Sequence, residues 1–191
     1  MIDHNRKLIF IHIPRTAGTS IEAALVGNDW WLIDPQSKHI SASQARDLYG
    51  EDIWESYTKF TVVRNPWDRV VSMWATGWWH EPSGVLPNCS FYDFCKNLKS
   101  HQHERSNSIL VEEIIDRPID FILRFESLAN DLSIMFKKVF GNETLFPTIP
   151  HLERREHLDF RAYYDPCSRD IIATRFNSEI RQFGYQFDNK I

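Results

Sequence analysis

Lys7–Ser20 reads KLIFIHIPRTAGTS, an apolar run that breaks into a loop carrying Pro14, Arg15, Gly18, Thr19 and Ser20. A short, continuously apolar run is what a central strand of a parallel sheet requires, because both of its faces are covered. A buried strand turning sharply into a helix leaves the first helical N–H groups pointing into the turn, where an anion satisfies them. Lys59–Ser72, KFTVVRNPWDRVVS, repeats the plan. Its β-branched run ends at Arg64; Asn65 then reads as a helix N-cap, Pro66 as the first helical residue and Asp68 as a first-turn acid. Ligands of open α/β sheets bind beyond the carboxyl ends of the strands, and both corners lie there. Two such corners, each with an arginine, point to a ligand with two separate phosphate-like groups.

Outward from these corners, strands and helices alternate. Thr19–Leu25 is expected to be a helix and Trp30–Ile33 a second strand. Ser41 with Gln44 reads as a capping box, with Gly50 as the stop. Ser90 starts a short helix through Leu98, and Ile119–Leu123 reads as a strand. Leu128, Leu132, Met135, Phe136 and Val139 mark an amphipathic helix ending at Gly141. Asp165-Pro166 opens a last helix to about Phe183, with Gly184 as its C-cap. Gly77–Pro87, Lys99–Ser108 and Pro147–Asp159 read as loops, the second as a mobile lid or substrate loop. The pattern predicts one α/β domain over residues 1–191, with a central parallel sheet flanked by helices.

The bulk composition narrows the partners. In 191 residues, 42% are hydrophobic and 25% charged, with a formal net charge of −4. That balance argues against a broad nucleic-acid or membrane-binding surface, while leaving room for a local basic pocket. Three cysteines cannot all pair, no apolar run reaches membrane-spanning length, and no cleavable leader is expected. These features predict a reduced, cytoplasmic protein.

The corner residues have definite chemical uses. The first loop lacks the full Walker pattern, which needs Gly, four residues, then Gly-Lys-Ser/Thr. Its parts are still suited to an anion: Gly18 admits close backbone approach, Thr19 and Ser20 offer hydroxyls, and Arg15 offers a permanent planar donor fork. The same letters also describe an ordinary strand–turn–helix with a Ser/Thr cap. In the second corner, Arg64 stands at the strand end and Ser72 lies eight residues later in the helix. A surface arginine and a helix serine are the plainer reading of that pair.

IHIPRTAGTS resembles the 5′-phosphosulfate loop of sulfotransferases that use 3′-phosphoadenosine 5′-phosphosulfate (PAPS). TVVRNPWDRVVSMW resembles their 3′-phosphate motif, with arginine and serine at the same separation. DFILRFESLANDL, PHLERREHLDFRAYYDP and the ending IRQFGYQF are similar to the carbohydrate sulfotransferase branch, which includes the heparan sulfate 2-O-sulfotransferases. The similarity is weakest from about Trp78 to Ser108. It implies a P-loop nucleotide-kinase-like sulfotransferase fold and a sulfuryl transfer from PAPS to a carbohydrate or small-molecule hydroxyl. It implies that Arg15, Thr16, Ala17, Gly18, Thr19 and Ser20 hold the 5′ side of the donor. Arg64 and Ser72 would hold its 3′-phosphate. Arg154 and Arg155, in the late loop, read either as closing over that phosphate or as a solvated charge cluster. The chain departs from the family at Arg15, where the loop usually carries a lysine against the oxygen bridging phosphate and sulfate.

An acceptor hydroxyl needs a base. Relatives place a histidine between the two phosphate motifs, and His39, in SKHISAS, resembles it. His39 and Arg15 are therefore the expected catalytic residues. Rivals for the base are His12, His80, His101, His103 and Glu22. Arg124 and Glu126, at the same sheet edge, read as a structural ion pair or as part of the site. Cys89, Cys95, His101 and His103 fit no standard zinc spacing, and no metal is expected. Two other readings stay open: a P-loop-type nucleotide kinase, for which no Walker lysine or Mg²⁺-binding acids are evident, and a non-catalytic adenine-nucleotide-binding module.

Overall fold

The computed structural model describes residues 1–77, 89–98, 108–143, 145–150, 152 and 158–188. Four strands form one sheet in the order β1 (Ile2–Asp3), β2 (Leu8–Ile11), β3 (Thr58–Val63) and β4 (Phe121–Arg124). β2, β3 and β4 run parallel, with Ile11 opposite Thr61 and Val63 opposite Arg124. The sheet is mixed rather than wholly parallel, because β1 pairs antiparallel with β2. A tight turn makes that edge: the Asp3 carboxylate accepts the N–H groups of Asn5 and Arg6 at 3.0 and 3.2 Å. Antiparallel neighbours need only such a turn, whereas each parallel pair needs a long crossover.

Alternation along the strands sets the layers. Ile9, Ile11 and Val63 face one apolar cluster; Leu8, Phe10, Phe60 and Val62 face the other. The second face is covered by α1 (Gly18–Val26) and α7 (Leu128–Phe140), through Ile21, Leu25, Leu132, Met135 and Phe136. The first is covered by α2 (Ala42–Tyr49), α3 (Glu51–Ser56), α4 (Pro66–Thr76), α5 (Phe91–Asn97), α6 (Val111–Ile114) and α8 (Pro166–Arg175). α9 (Asn177–Phe183) follows α8 directly. The result is an α/β architecture with a four-stranded mixed sheet between helices.

The local signals for helix ends hold. Ser41 and Gln44 form the capping box of α2. Asn65 caps α4, with Pro66 in its first turn, and the Ser90 side chain caps α5. Gly184 closes α9 with φ 65°. Two expectations fail. Trp30–Ile33 is not a strand but a 3₁₀ turn over Trp30–Leu32. The Asp29 carboxylate takes the Trp31 N–H at 2.9 Å and Glu22 takes that of Trp30 at 3.3 Å, so these donors are satisfied locally rather than by a ladder. The last helix is two helices, because Phe176 leaves helical geometry at φ −102°, ψ 24° while burying its ring in the core. Gly50, at φ 89°, both ends α2 and opens α3, a helix whose start is marked only by the acidic Glu51 and Asp52 of its first turn. Most of Gly77–Pro87 and of Lys99–Ser108 lies outside the described residues. Among the described residues, no helix is long and apolar enough to cross a membrane.

Candidate functional site

The carboxyl ends of β2, β3 and β4 carry the two corners side by side. Val63 and Arg124 are register partners, so Arg64 and Phe125 leave the sheet as neighbours. The Arg64 guanidinium lies 4.0 Å from the Phe125 ring centroid, a cation–π distance. Its Nε donates to Asp68 at 2.8 Å and its Nη1 donates to the backbone carbonyl of Arg15 at 3.1 Å. Arg15 reaches back: its Nε donates to Ser72 Oγ at 3.0 Å. The first corner is thus hydrogen-bonded to the second through both arginines.

The loop after β2 is bent by residues that rarely accept such bending. Arg15 (φ 66°) and Ala17 (φ 68°) are both left-handed, a conformation costing an L-residue about 1–2 kcal/mol. His39 (φ 62°) shares it. Non-glycine residues held this way persist where surrounding contacts fix them, and they cluster at binding sites. Here the contacts are visible. Thr16 is fully buried and its hydroxyl donates to the Ile13 carbonyl at 2.8 Å. Thr16 can therefore face an anion only through its N–H. Ser20 accepts the Leu152 N–H at 3.2 Å, which brings the late loop against the start of α1. Arg154 and Arg155 lie outside the described residues, as do His80, His101 and His103.

Gly18 has a reason beyond anion approach. A Cβ there would lie 1.9–2.4 Å from His12 ring atoms, so the glycine makes room for that imidazole. His12 Nδ1 donates to Glu22 at 2.7 Å, and its ring packs 5.5 Å from Phe10 and 4.2 Å from His39. Glu22, on α1, is fully buried and also meets Lys38 Nζ at 3.0 Å. Lys38 reaches Asp29 as well, and lies 3.5 Å from Thr19 Oγ1. A chain His12–Glu22–Lys38, buried throughout and ending on the half-buried Asp29, thus backs the first corner. Burial pushes the Glu22 carboxyl up, but His12 and Lys38 outweigh it and hold the group at about 2. Burial holds His12 below the usual imidazole range, partly offset by Glu22.

His39 is half-buried beside this chain. Its Nδ1 is 3.1 Å from the His12 carbonyl, which can only accept, so Nδ1 carries the proton and Nε2 the lone pair. Burial first, and then the neighbouring His12, hold His39 well below the usual imidazole value, so the ring stays neutral at neutral pH. A neutral imidazole with a fixed tautomer can accept a proton at Nε2. His12 and Glu22, the described rivals, are tied to each other instead.

Arg124 and Glu126 do not pair with each other. Arg124 donates to the Phe183 carbonyl, while Glu126 accepts the Asn65 N–H at 2.6 Å and the Tyr185 hydroxyl at 3.3 Å. Both fix the second corner to the C-terminal segment. Sequence reasoning missed Lys38 and Phe125. Lys38 stands next to His39 in SKHISAS, and that adjacency was the available signal; Phe125 had none, since only the parallel register makes it Arg64's neighbour.

A family model described as "Sulfotransferase family" matches residues 1–186. No curated protein and no solved structure gives a significant match.

Proposed function

We propose, because the chain belongs to the sulfotransferase family, that it moves a sulfuryl group from PAPS to a hydroxyl of a sugar or small metabolite. The released product is 3′,5′-diphosphoadenosine. The observation that carries this reading is the mutual grip of the corners, Arg64 on the Arg15 carbonyl and Arg15 on Ser72. Two cationic strand–loop–helix corners in direct contact suit one ligand with two anionic ends. This is also the support for a P-loop-like reading of the first corner.

The residues would act as follows. The N–H groups at the start of α1, around Ala17, Gly18, Thr19 and Ser20, face the 5′-phosphosulfate and stabilise the charge that builds on the leaving phosphate. Arg64, Ser72 and Arg15 line the shared corner. Arg154 and Arg155, from the late loop, would be further contacts to the 3′-phosphate. His39 Nε2 takes the acceptor hydroxyl's proton as that oxygen bonds to sulfur and the bond from sulfur to the bridging oxygen breaks. Fixed cations and N–H groups can supply all the charge such a transfer asks for.

A thermal melt without Mg²⁺ tests the donor. At a hundredfold excess over Kd, a ligand adds about 2.7 kcal/mol, or a rise of roughly 5–10 °C for a chain of this size. 3′,5′-Diphosphoadenosine should give that rise and ATP a much smaller one. A larger effect from ATP, dependent on Mg²⁺, would instead favour a nucleotide kinase.

A further inference from the structure

The 3₁₀ turn that precedes the candidate base shows solvent a run of large apolar side chains. Trp31, Leu32 and Ile33 are 39%, 75% and 47% exposed. One exposed apolar side chain is ordinary, but a contiguous run rimmed by polar residues marks a binding surface. The turn cannot bury the run, because its inner side is already taken. Trp30 is buried in the cluster under α1, where its indole Nε1 donates to Ser37 Oγ at 2.7 Å. The Trp30 and Trp31 N–H groups are held by Glu22 and Asp29. The surface is therefore preformed, and it adjoins the base: the Trp31 and His39 ring centroids are 5.9 Å apart. Between Gly27 and His39 the sequence holds one cation, Lys38, and two carboxylates, Asp29 and Asp34. The Lys38 side chain is buried, and Glu22 and Asp29 already neutralise it. A carboxylate or sulfate on an acceptor would find no free cation in this segment and would meet the carboxylate of Asp34 instead.

We propose that Trp31, Leu32 and Ile33 select the acceptor, binding an uncharged molecule by an apolar group next to the hydroxyl that His39 deprotonates. This names the acceptor class of the sulfotransferase reading and rests on that reading. Its physical basis is the large rigid face of an indole, extended by two aliphatic side chains, on a rim without charge for an anion.

Transfer of labelled sulfate from PAPS to three glucosides tests it: methyl β-glucoside, hexyl β-glucoside, and 5-carboxypentyl β-glucoside, which ends a chain of the same length in a carboxylate. Titration calorimetry with 3′,5′-diphosphoadenosine runs alongside. In the unaltered chain, kcat/KM should rise roughly tenfold or more from methyl to hexyl, since each fully buried methylene is worth about fourfold. The carboxylate chain should fall back to about the methyl value. Trp31→Ala should cut the preference for hexyl over methyl to about twofold, while diphosphate affinity stays within about twofold. Trp31→Phe should keep most of the preference. The backbone N–H that Asp29 holds survives in both variants. Leu32→Gln with Ile33→Gln, at exposed positions, repeats the test should the alanine variant melt early. Equal use of the methyl and hexyl glucosides, or of the charged and neutral chains, would overturn the proposal. A preference undiminished in Trp31→Ala and in the double glutamine variant would place the acceptor elsewhere. A chain that binds the diphosphate yet sulfates none of the glucosides would also overturn it, with the donor reading intact. A chain that does not bind the diphosphate would sink the donor reading, and this proposal with it.

Discussion

His39 shows how much of a residue's chemistry is decided by what it leans on. Its Nδ1 proton goes to the His12 carbonyl, and His12 is fixed by Glu22, which Lys38 holds in turn. The base candidate therefore has its tautomer set by backbone and its neighbour set by a buried charge chain. Because His39 is held well below the usual imidazole value, the neutral form persists as pH falls through the ordinary histidine range. The acid limb of kcat/KM should accordingly lie below pH ~6.5. His39→Asn, which keeps a side chain at ease in the left-handed region, should retain affinity for 3′,5′-diphosphoadenosine and lose turnover at least a hundredfold. Turnover surviving in that variant would move the base elsewhere. At this scale the sequence was legible only where one residue's chemistry stands alone. The place of Arg64 just past the end of β3 and that of Ser72 inside α4 could be read from the strand and helix patterns. Gly18 could be named too, but its reason could not: the imidazole that fills its missing Cβ comes from six positions earlier and is turned inward by Glu22. Adjacency to His39 could point to Lys38 but not to its role, because a lysine is ordinarily solvated and only the fold places two carboxylates against it.

Among the elements, α4 holds the most of the candidate site, and its N-terminus is the joint. Asn65 Oδ1 accepts from Trp67 and Asp68, its N–H goes to Glu126, and its Nδ2 goes to the Gln186 carbonyl at 3.2 Å. One side chain thus caps the helix and ties it to the C-terminal segment. Asn65→Ala should cost about 1–2 kcal/mol, the loss of a cap plus a second hydrogen bond. Urea denaturation would show this as a lower midpoint with an unchanged slope, and a variant as stable as the parent would refute the assignment. Elements with a cap written beside them were readable in advance, as at Ser41, Asn65, Ser90 and Gly184. Trp30–Leu32 is misread as strand although its cap, Asp29, is written beside it. Trp30–Leu32 has strand-forming residues, yet Asp29 and the buried Glu22 capture their N–H groups. The antiparallel β1 is two residues long, too short for any period to register.

Across the whole molecule, two buried charge clusters lie on opposite sides of the sheet, and they pull stability in opposite directions with pH. On the α1 side, His12 and His39 are held below their ordinary value and Glu22 at about 2. Below pH ~6.5 the unfolded chain binds protons at these histidines that the folded chain resists, so stability falls as pH falls. Glu22 adds to this below its unfolded value of about 4.5. On the α4 side, fully buried Arg69 meets Glu179 of α9 at 3.5 Å and also donates to the Ile109 carbonyl. Burial raises Glu179 to about 7, with Arg69 offsetting only part of it. Between pH ~4.5 and 7 the folded chain therefore holds a proton that the unfolded chain has lost, and stability falls as pH rises through that window. The raised value corresponds to roughly 3 kcal/mol at full ionisation. Glu179→Gln cannot ionise, so the stability of the parent relative to this variant should decline by up to about that amount from pH 5 to 8. Urea melts of both chains across this range measure the difference directly, whatever constant offset the lost ion pair brings. Two parallel curves would mean that Glu179 titrates normally, and that the α4–α9 contact does not keep its carboxyl out of water.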